Sequence, residues 1–284
     1  MKVVKKIAAL LVFSSAITPG LCSTSDSSLE EAKYSLHSNY VEGNEFNVGN
    51  VSVSLLGVSA WSDTGGSNDD ILQSAKNIYG YYNCGDYSAS SCIQEIGYGI
   101  ENYDRVHGSE YDSHSVDNYD DAGWDDFDMF LFTFDQEVVL TGAGYTYKHG
   151  SNGTREMSVI GLNDMSMFDN DKSTTWSDVA IASNVLSSGH FGIAETAGDL
   201  YSSTFTNLSA AKYWLVGAYN TFFDGSSGSL FDSSTDGVGF KLSSLTVGLE
   251  QKTTPPPTEV SEPGAIALMS LGLGLVLYRR KRRV

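Results

Sequence analysis

Short runs of alternating apolar and polar residues recur along the chain, and they constrain its fold more than any other feature. Val51–Leu55 alternates strictly, and Met129–Phe134 puts three phenylalanines on one face of an extended chain. β-branched and aromatic residues dominate these runs, and Gly, Asn, Asp and Ser separate them, as in strands joined by turns. The other runs are Val138–Leu140, Tyr145–Tyr147, Met157–Ile160, Tyr213–Tyr219, Phe240–Leu242 and Leu245–Val247. Six or more such strands predict an all-β, two-sheet sandwich.

Two segments have the spacing of short amphipathic helices instead. Asp69–Tyr79 repeats apolar residues at intervals of three and four behind the cap candidates Asn68 and Asp69. Asp178–Leu186 repeats them in the same way, and Ser177 precedes it as a cap. We therefore expect one or two short helices at the ends of the sandwich.

The N-terminus has the three parts of a secretory signal peptide. Three lysines lie within the first six residues, the apolar run Ile7–Ile17 follows, and small residues lead up to Ser23. We predict a signal helix over residues 1–23 that the Sec translocon handles, with cleavage after Cys22 or Ser23. The exported body then covers residues 24–252.

The last 24 residues combine an acidic-proline motif, an apolar run and a basic end. The motif is Ser261, Glu262, Pro263 and Gly264, and the basic end is Arg279, Arg280, Lys281, Arg282 and Arg283. As a helix, the 15 residues from Gly264 to Tyr278 would span about 22 Å, against a hydrocarbon core of ~30 Å. We expect a transmembrane helix that anchors the chain only for a time. Residues 253–260, a Pro- and Thr-rich spacer, separate it from the body.

This tail, residues 261–284, resembles the PEP-CTERM sorting signal of Gram-negative bacteria, which is the substrate tail of exosortases. The order of its three parts carries the resemblance, and the departure is Ser261, where the family has its first proline. The resemblance implies an exosortase as processing partner, a transient inner-membrane anchor, and delivery to the cell surface or extracellular matrix. The alternative is an ordinary single-pass anchor with a basic stop.

A weaker resemblance concerns the body. Gly97–Asn102, Ser113–Asn118, Phe127–Phe132 and Val138–Gly142 are similar to segments of bodies that often precede such tails. The similarity implies a jelly-roll sandwich of a surface protein. It brings no catalytic residues with it.

Two cysteines remain in the body once the signal is removed. Cys84 and Cys92 enclose a polar loop of seven residues, and an oxidising compartment makes a disulfide the expected state. Such a loop would stabilise the fold by about 2–3 kcal/mol. The alternative, a metal pair, lacks a second Cys/His pair at zinc spacing.

The charge distribution excludes some classes of partner. Between Ile7 and Tyr278 the chain carries all 35 acidic residues but only nine basic ones. A surface with this excess of negative charge repels nucleic acid and anionic lipid. It attracts divalent cations instead.

One acidic segment is the candidate calcium site. Asp117–Asp128 holds six aspartates and one asparagine in twelve residues, and Ca²⁺ takes about 6–8 oxygen ligands. The candidate ligands are Asp117, Asn118, Asp120, Asp121 and Asp125. The spacing is not that of an EF-hand. Solvated turn residues in an acidic protein are the alternative, since Asp and Asn favour turns.

Sugar binding is the second ligand hypothesis. Trp61 and Trp124 lie beside polar turns, where we expect them to be exposed and able to stack on a sugar, whereas Trp214 lies within a strand and belongs to the core. The five histidines show no metal-binding spacing, and no catalytic motif is present.

Three function classes follow. The first is a non-enzymatic surface or matrix protein whose partner could be an exopolysaccharide or surface glycan. The second is a calcium-dependent carbohydrate-binding module, and the third is a secreted hydrolase with paired carboxylates.

Overall fold

The computed structural model describes most of the body and one helix of the tail. The described residues are 29–36, 44–63, 69–82, 95–102, 115–118, 126–149, 155–169, 173–181, 183–196, 200–224, 237–250 and 263–281. The chain divides into two compact units, of which one is Ser28–Gln251 and the other combines Met1–Ser27 with Lys252–Val284.

The first unit is built almost entirely from strands. They are β1 Leu29–Ser35, β2 Asn44–Val48, β3 Val51–Asp63, β4 Leu72–Ser74, β5 Asn77–Tyr82, β6 Ile96–Glu101, β7 Val116–Asp117, β8 Met129–His149, β9 Glu156–Leu162, β10 Val185–Gly192, β11 Ala194–Glu195, β12 Tyr201–Thr204, β13 Ala211–Ala218 and β14 Gly239–Glu250. One short helix, α1 Trp176–Val179, and two 3₁₀ turns, η1 Ser166–Phe168 and η2 Thr221–Phe223, complete it. The predicted all-β class is confirmed, and every strand pairing among the described residues is antiparallel.

A single strand of 21 residues, β8, connects two layers of this sheet. Its first part pairs with β3 and β13, and β2, β4, β9 and β10 extend that layer, which we call the inner layer. Its second part pairs with β14 and β12, and β1, β5, β6, β7 and β11 extend the outer layer. Three runs that the sequence indicates as separate strands are therefore one continuous strand.

The two layers enclose one hydrophobic core, the central core. Phe130, Phe132 and Phe134 of the inner layer contribute to it, together with Phe240 and Leu245 of the outer layer. The Tyr145 hydroxyl of the outer layer donates to Met157 Sδ of the inner layer, so side chains of both layers meet across it. Trp214, predicted as a core residue, is fully buried here.

The inner layer is also buried on its second face. Met129 and Leu131 alternate with the phenylalanines and point to a second cluster with Ile160, Leu215 and Trp176, the helix-side core. All seven residues of β9 are buried as a result. Among the described residues, the second face of the outer layer carries half-buried and exposed side chains such as Glu31, Lys33 and Lys241. We call this surface the open face.

The helix-side core explains why α1 forms where it does. Thr175 accepts from Asp178 N–H and the Asp178 carboxylate accepts from Thr175 N–H, which is a capping box. Trp176 follows the cap, is fully buried, and donates its indole N–H to the Phe127 carbonyl at 3.2 Å. The helix therefore positions one large aromatic side chain over the inner layer.

Both segments that the sequence predicts to be helical have a different structure. Asp69–Tyr79 contains β4 and the start of β5 instead of a helix. Its apolar spacing also satisfies a strand, because Leu72 is buried and Ile78 packs on the central core while Tyr79 points outwards. In Asp178–Leu186 only the first residues are helical, and β10 begins at Val185.

The second unit contributes helix α2, Pro263–Lys281. Among the described residues, no helix combines the length and the apolar character that a membrane crossing requires. The predicted signal helix at residues 1–23 and the spacer at residues 253–260 lie outside the described residues. The jelly-roll order of the body stays a prediction.

Replacing Phe132 tests the central core. Phe132→Ala should lower the free energy of unfolding by about 3–5 kcal/mol, because it leaves a cavity between the layers. The exposed residue Val51 is the control, and Val51→Ala should change stability by less than ~0.5 kcal/mol. Urea unfolding of both variants measures the difference, and equal effects would contradict the two-layer packing.

Candidate functional site

The predicted calcium ligands are only partly within the described structure. Asp120, Asp121 and Asp125 lie outside the described residues. Asn118 is buried, and its side chain accepts from Val238 N–H at 2.8 Å and donates to the Tyr219 carbonyl at 2.9 Å. Asp117 pairs with Gly239 in β7 and β14. The described contacts of Asn118 therefore join the start of β14 to the end of β13, which is a structural role.

Of the predicted sugar-binding and disulfide residues, the structure describes only Trp61. Trp61 was expected to be exposed, but it is 5% exposed and packs against Phe168 in the helix-side core. Its expected exposure is wrong because α1 and η1 cover the inner layer. Trp124, Cys84 and Cys92 lie outside the described residues.

A polar cluster lies where β3 and β6 end and β8 begins. Asn102 Nδ2 lies 3.1 Å from Ser62 Oγ, 3.1 Å from Asp126 Oδ2 and 3.3 Å from Asp128 Oδ1. Asp63 Oδ1 accepts from Phe127 N–H at 2.7 Å, while its buried Oδ2 has no hydrogen-bond partner in the part of the chain that the structure describes. Within the described part of the chain, no three acidic, histidine or cysteine side chains are arranged to hold a metal ion.

Burial controls the charge of this cluster. It raises the pKa of Asp63 to about 8, and the hydrogen bond from Phe127 N–H offsets this only in part. Asp63 is therefore mostly protonated at neutral pH. The cluster therefore joins the ends of β3 and β6 to the start of β8, and it carries less negative charge than it would if all of its aspartates were ionised.

A Ser–His–Asp arrangement lies on β9, β10 and the turn at Asp224, at the same strand end of the inner layer as the polar cluster. Ser158 Oγ is 2.9 Å from His190 Nδ1, and His190 Nε2 is 3.3 Å from Asp224 Oδ1. Ser158 is fully buried, and its Oγ accepts from Asn220 N–H at 2.9 Å. A nucleophile must contact its substrate, and this serine is enclosed by β9, β10 and the turn before η2. The geometry here gives the arrangement a structural role.

Burial also sets the state of this histidine. It lowers the pKa of His190, although the nearby carboxylates of Asp224 and Glu156 oppose the shift. The Tyr219 ring packs edge-on against the imidazole, with 4.9 Å between centroids. The neutral imidazole therefore links β9 to the Asp224 turn.

The open face has an unusual ladder along β8 and β14. Its register shifts three times, and each shift inserts one extra residue into one strand, which is a β-bulge. The extra residues are Thr146, Ser243 and Thr141. All three hydroxyls are buried, and none of the described residues gives them a hydrogen-bond partner. The two bulges on β8 lie on either side of Gly142 and Gly144.

A strip of tyrosines lies at one end of the open face. Lys241 Nζ lies 4.3 Å from the Tyr81 ring centroid and 4.8 Å from that of Tyr147. Tyr79 stands next to Tyr81, with 6.1 Å between ring centroids, and is 39% exposed. We call these four residues the tyrosine strip.

A groove continues the open face beyond the strip. It has a volume of about 580 Å³, and hydroxyl and glycine residues of β8, β12 and β14 line it. Two of the unpartnered hydroxyls, on Thr141 and Ser243, belong to its lining, as do the charged residues Glu31, Lys33 and Glu95. The strip and the groove thus lie on one surface that is built from the same strands.

Neither the buried Ser–His–Asp arrangement nor the tyrosine strip was predicted from the sequence. Ser158, His190 and Asp224 are up to 66 residues apart in the chain, so no local motif marks them. The strip had a usable signal, because Tyr79 and Tyr81 have strand spacing. The helical interpretation of that segment hid it.

A scan against protein-family models, a search of curated proteins and a search of solved structures find no match to this chain. Its function has to be argued from these residues.

Replacing Asp63 tests the charge of the polar cluster. The folded state holds a proton on Asp63 between about pH 4 and pH 8 that the unfolded state releases, so this group's contribution to stability falls as pH rises. Asp63→Asn should therefore be more stable than the wild type at pH 8, with an advantage that shrinks towards pH 5. Urea unfolding at both values measures this, with exposed Asp135→Asn as control. A constant difference across pH would contradict the raised pKa.

Replacing His190 tests the charge of the buried Ser–His–Asp arrangement, where the pKa shift has the opposite sign to that of Asp63. A lowered pKa in the folded state means that the unfolded state binds more protons below about pH 6.5. The wild type should therefore lose stability between pH 7 and pH 5 through this residue. His190→Asn should show a smaller loss over the same interval, even if it is less stable overall. If the wild-type and variant curves stay parallel, His190 does not titrate as inferred.

Proposed function

We propose that this chain is an exported, non-enzymatic cell-surface or extracellular-matrix protein that an exosortase sorts and cleaves at its tail. The observation that supports this most directly is the surface of α2. Its described apolar side chains are 60–76% exposed, and they are Met269, Leu271, Leu273, Leu275, Val276 and Tyr278.

These residues point to several sides of the helix, so α2 has no single apolar stripe. A helix that is apolar all round needs an apolar environment on every side. Arg279, Arg280 and Lys281 occupy its last turn and are exposed. A segment of this kind suits a processing enzyme in the membrane that takes hold of the tail, keeps its basic end cytoplasmic and then removes it.

The other parts of the chain act in the same export route. Residues 1–23 act as the signal for the Sec translocon, and the tail holds the chain at the inner membrane until cleavage near Glu262. Cys84 and Cys92 form a disulfide after export. The body folds as a jelly-roll sandwich and reaches the surface or matrix of a Gram-negative bacterium.

The two alternatives have less support from the described contacts. Of the five candidate calcium ligands, Asn118 has its side chain engaged in hydrogen bonds with the backbone. The hydrolase hypothesis rests on paired carboxylates, and the Ser–His–Asp arrangement adds no support to it, because Ser158 is buried.

A matched pair of glutamates tests the sorting proposal. Glu262→Ala changes the motif, whereas Glu259→Ala changes a glutamate three residues earlier in the spacer. We expect the Glu262 variant and a deletion of residues 261–284 to lose delivery to the surface fraction, and the Glu259 variant to behave as the wild type. Cell fractionation with mass determination of the released chain measures both steps. Normal surface delivery and identical processing of the deletion variant would overturn the proposal.

A further inference from the structure

We propose that the open face binds a neutral polysaccharide chain, which stacks on the tyrosine strip and runs on into the groove. This inference goes beyond the sorting proposal and does not depend on it. It rests on three independent observations, which are the aromatic strip, the unpartnered hydroxyls and the distribution of charge.

The strip offers aromatic rings that are already held in place. Lys241 lies over both Tyr81 and Tyr147, and Asn77 Nδ2 donates to the Tyr79 hydroxyl at 3.3 Å. Ordering flexible side chains weakens binding, so rings fixed before contact are favourable. Tyrosine presents an apolar ring face and a polar hydroxyl, which matches the C–H face and the hydroxyls of a sugar ring.

The ladder between the strip and the groove supplies hydrogen-bonding capacity that the described protein does not use. A buried hydroxyl without a partner costs about 1–3 kcal/mol, and such groups are rare in native structures. Here three of them follow one another, at Thr146, Ser243 and Thr141, and each is the extra residue of a bulge. Bulges tend to occur next to functional sites, where they redirect side chains. Thr141 and Ser243 line the groove, whereas the Thr146 hydroxyl lies against Gly97 of β6. Sugar hydroxyls both donate and accept, so they can satisfy the two hydroxyls in the groove once these side chains turn towards them.

The dimensions fit an extended ligand. Tyr147 and Gly142 are five residues apart on β8, which corresponds to about 16 Å at ~3.3 Å per residue. That length spans several sugar rings. A single monosaccharide would cover only the strip or only part of the groove.

The charges on this surface favour a neutral chain. Glu31 and Glu95 line the groove with Lys33, and Lys241 belongs to the strip, so the charges of these four side chains balance. The chain outside its two ends carries 35 acidic against nine basic residues. A polyanion would be repelled as it approached. Carboxylates accept hydrogen bonds from sugar hydroxyls, so the same groups can bind a neutral ligand.

Affinity electrophoresis of the full chain through gels that contain a neutral polysaccharide tests the proposal. The probes are a β-glucan, a dextran and a mannan, with alginate as the acidic comparison. At least one neutral probe should retard the wild type. Tyr81→Ala and Tyr147→Ala should each weaken that binding about tenfold, the equivalent of about 1.4 kcal/mol, while Tyr81→Phe should keep most of it.

The control is a tyrosine beside a lysine elsewhere on the molecule. Lys212 Nζ lies 5.9 Å from the Tyr213 ring centroid, and this ring packs against the helix-side core. Tyr213→Ala should therefore leave binding unchanged at a temperature where all variants are folded. An equal loss in the control, no retardation by any neutral probe, or retardation by alginate alone would overturn the proposal.

Removing a bulge hydroxyl separates ligand binding from a structural role. Thr141→Val keeps the shape of the side chain and deletes an unpartnered polar atom in the groove, so thermal stability should stay equal or rise. Affinity for the neutral probe should fall several-fold. If affinity is unchanged in both Thr141→Val and Ser243→Ala, the groove hydroxyls do not belong to the site.

Discussion

The whole body depends on one strand that both layers share. β8 pairs with β3 and β13 in its first part and with β14 and β12 in its second. Because side chains alternate along a strand, its backbone decides which residues of each layer face the central core. A slip of one residue would turn the three phenylalanines away from it. The bulges between β8 and β14 shift this register. They therefore help to decide which side chains face the core, and they also shape the open face.

The burial of the inner layer on both faces explains why its buried polar side chains gather at one end of the strands. The centre of the layer is covered on both faces, since all of β9 and most of β13 are buried between the two cores. Buried polar groups need partners, and the end at which β8 begins supplies them, through Asn102 in the polar cluster and through Ser158 and His190, which lie in register with Met129. The shifted pKa values of Asp63 and His190 have the same physical cause, which is the removal of charge from water.

The all-β class and most strands were predictable from the sequence because alternation is a local signal. Met129–Phe134 and Met157–Ile160 both lie in strands as expected. The exposure of Trp61 was not predictable, since α1, which covers its layer, comes more than a hundred residues later in the chain. The segment Asp69–Tyr79 failed for another reason, because its apolar spacing fits both a helix and a strand, and only pairing with β3 and β6 decides between them. The bulge hydroxyls depend on register, which no single segment contains.

The open face combines features that weaken a fold unless they have another use. Thr141, Thr146 and Ser243 each lose hydrogen bonds to water without gaining a protein partner, and natural domains are stable by only about 5–15 kcal/mol. Apolar or satisfied residues at these positions would stabilise the same ladder. Such costs persist in proteins mainly where they serve a site, since mutations that remove them are easily available. The three positions follow one another along the ladder from the tyrosine strip to the groove, which is the path that we propose for the polysaccharide.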